Sequence, residues 1–137
     1  MLIGSRAALI RGPAGSGKSR LALALIDAAV TGRLRFARLV ADDRVELTAS
    51  HGRLLVRPPA ALAGLIEVRG LGVRRIAFEQ VAFVGLVIDL AAADGERIPA
   101  PSAQTAEING IRLPRLPVAA GADALAIVLA TLNSEAT

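Results

Sequence analysis

Short apolar runs separated by turn-forming residues make up most of the chain, and two longer stretches have helical spacing. AALI, at residues 7–10, predicts a buried strand. The stretch SRLALALIDAAV places Leu, Ala and Ile on one face of a helix, which we expect to end before Thr31 and Gly32. ADALAIVLATL, at residues 122–132, predicts a second helix that is apolar enough to pack on a sheet.

Further strands are predicted between these helices. RFARLVADD predicts an apolar strand that ends in two aspartates, and VELTASHGRLLVRPP predicts two strands around a turn at His51 and Gly52. IEVRGLGV and VAFVGLVIDL predict two more, while RRIAFEQ between them fits a strand or irregular structure. The proline-marked segment 99–117 is assigned no element. Because strands outnumber helices, we expect an α/β fold with a mixed sheet and flanking helices.

Length and composition narrow the class of protein. A chain of 137 residues predicts a single domain over residues 1–137. The absence of cysteine is compatible with a reducing cytosol. The amino terminus does not have the plan of a signal peptide, and no apolar run reaches the ~20 residues of a membrane span. We therefore expect a soluble, cytoplasmic protein with no membrane partner.

The basic charge does not indicate a nucleic-acid partner. The formal net charge is +4, but the arginines are dispersed and the chain has three Phe, no Tyr and no Trp with which to stack on bases. One lysine, Lys18, stands among fifteen arginines. We therefore expect no nucleic-acid binding. We also expect the single lysine to be required by its immediate sequence context.

That lysine belongs to the motif GPAGSGKS, which satisfies G-x-x-x-x-G-K-[ST] between a predicted strand and a predicted helix. The glycines let backbone N–H groups curve around a polyphosphate, and the following helix presents its positive end. An ammonium acts there as a compact point charge, whereas arginine is bulkier and planar. The motif predicts ATP and Mg²⁺ as cofactors, with phosphate-binding residues Gly12, Pro13, Ala14, Gly15, Ser16, Gly17, Lys18 and Ser19.

Two segments offer the acidic partner that such a loop needs. LVADD ends an apolar run in Asp42 and Asp43, and GLVID ends another in Asp89. Either fits a strand that ends in a metal-side carboxylate. The adjacent pair offers more chemistry, because one carboxylate can support Mg²⁺ while the other accepts a proton from an incoming hydroxyl.

Taken together, GPAGSGKS, LVADDRVEL and RPPAALAGLIEVRGLGV closely resemble the carboxy-terminal catalytic domain of HPr kinase/phosphorylase, over residues 7 to 88 and more loosely to 132. The resemblance implies a nucleotide-binding fold related to phosphoenolpyruvate carboxykinase. It also implies a substrate, a seryl hydroxyl on HPr, the small phosphocarrier protein of the bacterial phosphotransferase system. The resemblance further implies that the chain forms a homo-oligomer, specifically a hexamer.

The resemblance carries roles to individual residues. It makes Lys18 the catalytic lysine on the phosphates, and it makes Ser19 and Glu67 the magnesium residues. Residues 66–75 correspond to the family's signature segment.

The remaining roles concern proton transfer and charge. By the same resemblance, Asp43 accepts the proton of the substrate serine and Asp42 supports the metal and phosphates. Arg97, in GERIP, matches an active-site arginine, and Asp89 becomes a residue that merely ends a strand.

Three departures from the family pattern leave a second function open. The chain is expected to lack both the family's histidine before the first strand and the amino-terminal domain of full-length members. Ala119 and Ala122, in PVAAGAD, stand where members have arginines tied to dephosphorylation. The alternative function is therefore a nucleotide-binding regulatory module with weak or no phosphoryl transfer, and the phosphorylase direction is the more doubtful activity.

Overall fold

Ten strands and two α-helices build the fold, and the computed structural model describes residues 1–135. The strands are β1 Leu2–Ile3, β2 Arg6–Arg11, β3 Ala37–Arg38, β4 Glu46–Ser50, β5 Arg53–Arg57, β6 Leu65–Val68, β7 Gly72–Arg75, β8 Ala82–Asp89, β9 Thr105–Ile108 and β10 Ile111–Pro117. The helices are α1 Lys18–Val30 and α2 Ala124–Leu132, with short 3-10 turns at Ala60–Leu62 and Pro101–Gln104. No helix within residues 1–135 is both long and apolar enough to cross a membrane.

The main sheet is mixed, as the sequence predicts. Its strands run in the order β3-β1-β2-β8-β10-β9, and β5, paired with β4, joins the start of β8. The strand β8 lies parallel to both β2 and β10, while the other pairs are antiparallel. Because β2, β8 and β10 are parallel, their carboxyl ends meet at one edge, where Arg11 pairs with Asp89 and Asp89 with Pro117.

Two hydrophobic cores lie on the two faces of this sheet. The helix α1 contributes Leu21, Leu25 and Ala28 at helical spacing to the first core, where they pack with Ile88. The second core forms where the β4–β5 hairpin covers the other face, and Leu54 is fully buried there. The helix and the hairpin therefore fix the central strands from both sides.

The segment 99–117, which the pattern left without an element, contains two strands. An Asn109–Gly110 turn with φ of 51° and 79° joins β9 to β10, and Asn-Gly is a strong hairpin signal. Pro114 and Pro117 obscured it, because proline has no N–H for a ladder. The strand tolerates both because residues 111–114 pair with β9 and residues 115–117 with β8, so each half has a single partner.

Two other predictions were only partly right. RFARLVADD forms a strand only over Ala37–Arg38, followed by one bridge from Leu39 to Phe78, so the strand stops short of the aspartates. Its apolar pattern reflects burial of Leu39 and Val40 rather than strand pairing. IEVRGLGV is a β6–β7 hairpin rather than one strand, and RRIAFEQ begins in β7 and continues irregularly.

Candidate functional site

The GPAGSGKS loop connects β2 to α1 at the carboxyl edge of the parallel strands. Its first glycine lies close to Ser16 of the same loop and to Leu90, which follows β8. A Cβ on Gly12 would come within 2.5 Å of Ser16 Oγ and 3.2 Å of Leu90. The amide of Leu90 also donates to the carbonyl of Arg11 at 2.8 Å. Only glycine fits this closure, which is the local reason for the first position of the motif.

The amino-terminal end of α1 is open to an anion. Gly17, its N-cap, has φ of 98°, offers no side-chain cap, and is followed by no acidic residue in the first turn. The amino-terminal end of α2, in contrast, is capped, because the Asp123 side chain accepts a hydrogen bond from the amide of Ala126 at 3.1 Å. Uncapped first-turn N–H groups and the helix dipole favour a phosphate at α1.

Lys18 lies folded over this loop. Its Nζ donates to the carbonyl of Gly12 at 2.8 Å, and the side chain lines a cavity of about 280 Å³ together with Asp42 and Asp43. The ammonium therefore already stands beside the phosphate-binding backbone, and the acidic pair lies on the same cavity. A planar guanidinium could not occupy the same compact position.

Asp42 joins three separate segments. Its Oδ1 accepts from Ser19 Oγ at 2.7 Å, and its Oδ2 accepts from the backbone amide of Glu67 at 2.9 Å. We call Ser19, Asp42 and Glu67 the Asp42 cluster. The structure thus brings together Ser19, Asp42 and the backbone of Glu67, from α1, the loop after β3, and β6, which are the residues to which the resemblance gave metal binding and its support.

The donors of the Asp42 cluster fit Mg²⁺. Ser19 Oγ and the Asp42 carboxylate supply hard oxygen ligands of the kind that this ion prefers, while Glu67 joins the cluster through its backbone amide and is itself exposed. Among residues 1–135 there is no group of three or more His, Cys, Asp or Glu side chains that could hold a metal ion. Such a partial set is typical for Mg²⁺, which is usually completed by water and by substrate phosphates.

Asp89, the other strand-end aspartate, has different partners. Arg11 donates to both carboxylate oxygens at 2.7 and 2.8 Å, and Nε of Arg115 donates to the same carboxylate. Arg115 in turn binds both oxygens of Asp94 at 2.7 and 3.0 Å. We call these four residues the Asp89 cluster, and its carboxylates are already neutralised by guanidinium groups.

The ionisation of the Asp89 cluster follows from these contacts. Burial raises the pKa of the Asp89 carboxyl, but hydrogen bonds from Arg11 and Arg115 outweigh it and hold the pKa below its ordinary value. Hydrogen bonds to Asp94 and Asp89 raise the pKa of Arg115 well above its ordinary value. The cluster is therefore fully charged at neutral pH.

Arg97, and the pair Ala119 and Ala122, were also singled out from the sequence, and they take no part in the Asp42 or Asp89 cluster. Arg97 is exposed in the loop after β8, and no hydrogen bond or ion pair links it to another residue of the described chain. Ala119 and Ala122 face residues 13–16 across a cavity of about 320 Å³, which no charged side chain of residues 1–135 lines. The cavity offers small apolar walls beside the phosphate loop.

Sequence reasoning missed Arg11, Asp94 and Arg115. Arg11 directly precedes the motif and Asp89 ends another predicted strand, so opposite charges at two strand ends were visible in the sequence. Their pairing became meaningful only once β2 and β8 proved to be parallel neighbours. Arg115 was hidden because it lies on β10, a strand that the pattern did not predict.

A family model and individual known proteins point to the same family. Residues 3–136 match the family described as HPr Serine kinase C-terminal domain. A stretch of 65 residues is 45% identical to the HPr kinase/phosphorylase of Clostridium tetani and covers 47% of this chain and 19% of that protein. A stretch of 66 residues is 46% identical to the HPr kinase/phosphorylase of Halalkalibacterium halodurans, with the same two shares. The matched stretch thus spans about a fifth of these relatives.

A solved structure extends the likeness over most of the chain. The HPr(Ser) kinase/phosphatase from Coxiella burnetii superposes with a TM-score of 0.74 at 28% sequence identity. The match covers 95% of this chain and 87% of that one. The mixed sheet and its two helices are therefore shared with that protein.

Proposed function

The chain belongs to the HPr serine kinase C-terminal domain family, and on that basis we propose that it is an ATP- and Mg²⁺-dependent serine kinase. Its substrate is HPr or an HPr-like phosphocarrier protein, whose seryl hydroxyl receives the γ-phosphoryl group. The observation that carries this proposal is the Asp42 cluster, because Asp42 hydrogen-bonds to Ser19, the last residue of the phosphate loop, and lines one cavity with Lys18.

The nucleotide is held by the loop and by the open end of α1. Backbone N–H groups of residues 14–19 surround the phosphates, and Lys18 neutralises charge on the β and γ groups. Ser19 and Glu67 would hold Mg²⁺, while Asp42 orients the Ser19 hydroxyl and fixes the backbone at Glu67. When bound, the metal supplies charge neutralisation on the phosphate oxygens.

Phosphoryl transfer then needs a base and an incoming hydroxyl. Asp43 is exposed and lines the same cavity as Lys18, so it accepts the proton of the substrate serine. The seryl oxygen forms a bond to the γ-phosphorus, the bond to the β–γ bridging oxygen breaks, and ADP leaves. Arg97 contacts the transferred group once the carrier has docked, which its exposure permits.

A transfer assay tests the proposal. Purified chain is incubated with ATP, Mg²⁺ and purified HPr, and the intact mass of the carrier is measured, with Lys18→Ala as the matched inactive control. We expect the carrier to gain one phosphoryl group with the wild type and none with the variant. Tight ATP binding without any transfer under saturating conditions would instead support a nucleotide-binding regulatory module.

The forward direction is favoured over the phosphorylase direction. The cavity between residues 13–16 and residues 118–122 has no cationic wall within the described chain, so inorganic phosphate gains no charged side-chain partner there. Phosphoserine carrier mixed with inorganic phosphate should therefore lose phosphate much more slowly than the carrier gains it from ATP. Equal rates in the two directions would contradict this preference.

We also propose that the chain assembles as a homo-oligomer, a hexamer by family resemblance, in the cytoplasm. The molar mass of the purified chain, measured by light scattering during gel filtration, tests the assembly. A monomer at all concentrations would contradict it.

A further inference from the structure

Arg11 stands directly before the phosphate loop and faces the reaction cavity. Arg11 is among the residues that line the same cavity as Lys18, Asp42 and Asp43. The next residue, Gly12, is the one whose carbonyl accepts from Lys18 Nζ at 2.8 Å. A second cation therefore borders the place where the proposed transfer occurs.

The guanidinium of Arg11 is only partly used by its ion pair. Nε and one terminal nitrogen, Nη2, donate to Asp89 at 2.7 and 2.8 Å. Within residues 1–135 the other terminal nitrogen, Nη1, has no partner, and the side chain is 43% exposed. Because an arginine carries five N–H donors in a rigid fork, one arm is fixed while the other remains free.

Asp89 is itself held from the opposite side. Nε of Arg115 donates to Asp89, while Arg115 is anchored by both oxygens of Asp94 and by the carbonyl of Ala103 at 2.9 Å. Asp89 and Arg115 are each only 15% exposed at the side chain. The carboxylate that orients Arg11 therefore has little freedom to move.

We propose that Arg11 is a catalytic residue whose Nη1 donates to the transferred phosphoryl group, and that Asp89 is its positioning residue. The inference rests on the proposed kinase function. Arg11 makes hydrogen bonds only: it neutralises charge on the equatorial oxygens while the serine proton goes to Asp43. An arginine is needed because a lysine could not keep a two-point contact with Asp89 and also present a directed donor.

A purely structural role for the Asp89 cluster makes a different prediction. Bracing the carboxyl ends of β2, β8 and β10 would change thermal stability and would affect all nucleotide complexes alike. Contact with the transferred group affects only complexes that contain a mimic of that group. Affinity for Mg·ADP should therefore be compared with and without aluminium fluoride, which imitates the phosphoryl group in transfer.

The experiment uses isothermal titration calorimetry on the wild type, Arg11→Lys and the matched control Arg112→Lys, an exposed arginine on β10. We expect all three to bind Mg·ADP within about twofold of one another. Aluminium fluoride should tighten binding to the wild type and to Arg112→Lys, and Arg11→Lys should lose roughly 10²-fold of that gain. Full retention of the gain in Arg11→Lys, or no gain in the wild type, would overturn the inference.

The role of Asp89 is tested by Asp89→Asn, with thermal unfolding as the check on its fold. We expect kcat to fall about tenfold while KM for ATP stays within about twofold, because Arg11 is still present but less well oriented. Equal effects on kcat and on Mg·ADP affinity would assign Asp89 a structural role instead. The calorimetry needs no carrier, so failure of transfer to HPr with a normal aluminium fluoride effect would contradict the substrate and leave Arg11 supported.

Discussion

Asp42 and Asp89 follow similar apolar runs in the sequence, yet they have opposite surroundings. Asp42 accepts from a hydroxyl and a backbone amide, both neutral donors, so its negative charge remains available. Asp89 accepts from two guanidiniums and its charge is compensated. The difference teaches that a carboxylate after a strand is not by itself a metal residue, because the partners across the sheet decide what it can bind.

The position of each aspartate in the sheet explains these partners. Asp89 lies on the central strand β8, between the ends of β2 and β10, and each of those strands supplies an arginine. Asp42 lies in the loop that passes α1 and β6, where no arginine hydrogen-bonds to it within the described chain. This contrast is the reason why we propose metal support for the Asp42 cluster and orientation of a cation for the Asp89 cluster.

The largest expected effect comes from Lys18, which borders both aspartate clusters. Lys18→Ala should weaken ATP binding and lower transfer by about 10³-fold or more, because the phosphate loop loses its only side-chain cation. Calorimetry with ATP and the mass-based transfer assay measure the two effects. Transfer at near wild-type rates would show that another cation supports the nucleotide.

Asp43→Asn should separate chemistry from binding. We expect transfer to fall roughly 10²- to 10⁴-fold while ATP affinity stays within about twofold, because only the proton acceptor is lost. Asp27→Asn, an exposed aspartate on α1, is the matched control and should transfer normally. An Asp43→Asn variant with nearly normal rates would remove Asp43 as the base.

Asp42→Asn and Asp89→Asn compare the two clusters directly. In Asp42→Asn the new side-chain N–H₂ would face one of the two donors that the carboxylate now accepts from. Ser19 and Glu67 would then be misplaced, and the Mg²⁺ concentration for half-maximal transfer should rise roughly 10- to 100-fold. Asp89→Asn should leave that concentration unchanged within about twofold. A larger magnesium effect at Asp89 than at Asp42 would reverse our assignment.

The smallest effects concern stability. Asp89→Asn leaves two guanidiniums without their shared carboxylate and should cost about 2 kcal/mol, whereas Asp42→Asn should cost about 1 kcal/mol. Because the pKa of Asp89 is lowered by folding, its contribution is present above its unfolded pKa of about 4 and is lost as pH falls through the native value. Urea unfolding at several pH values should show the wild-type advantage over Asp89→Asn shrinking below about pH 4. An advantage independent of pH would mean that the ionised carboxylate contributes nothing.

Much of the fold could be predicted from the sequence, whereas the roles of the site residues stay predictions. The family, the mixed α/β fold, both helices and the β4–β5 hairpin are confirmed, since each rests on a local pattern or a continuous motif. The β9–β10 hairpin was missed because two prolines outweighed the Asn109–Gly110 signal. The Asp89 cluster could not be predicted, because its members are separated along the chain and meet only through parallel pairing with an unpredicted strand.

The most direct test of the central claim measures ADP and phosphoserine in the same sample. Wild-type chain, ATP, Mg²⁺ and HPr are mixed, ADP is quantified by chromatography, and the phosphorylated residue is located by fragmentation mass spectrometry. We expect one phosphoserine on the carrier for each ADP formed. ADP without phosphoserine, or bound ATP without ADP, would contradict a site that transfers the γ-phosphoryl group to a serine.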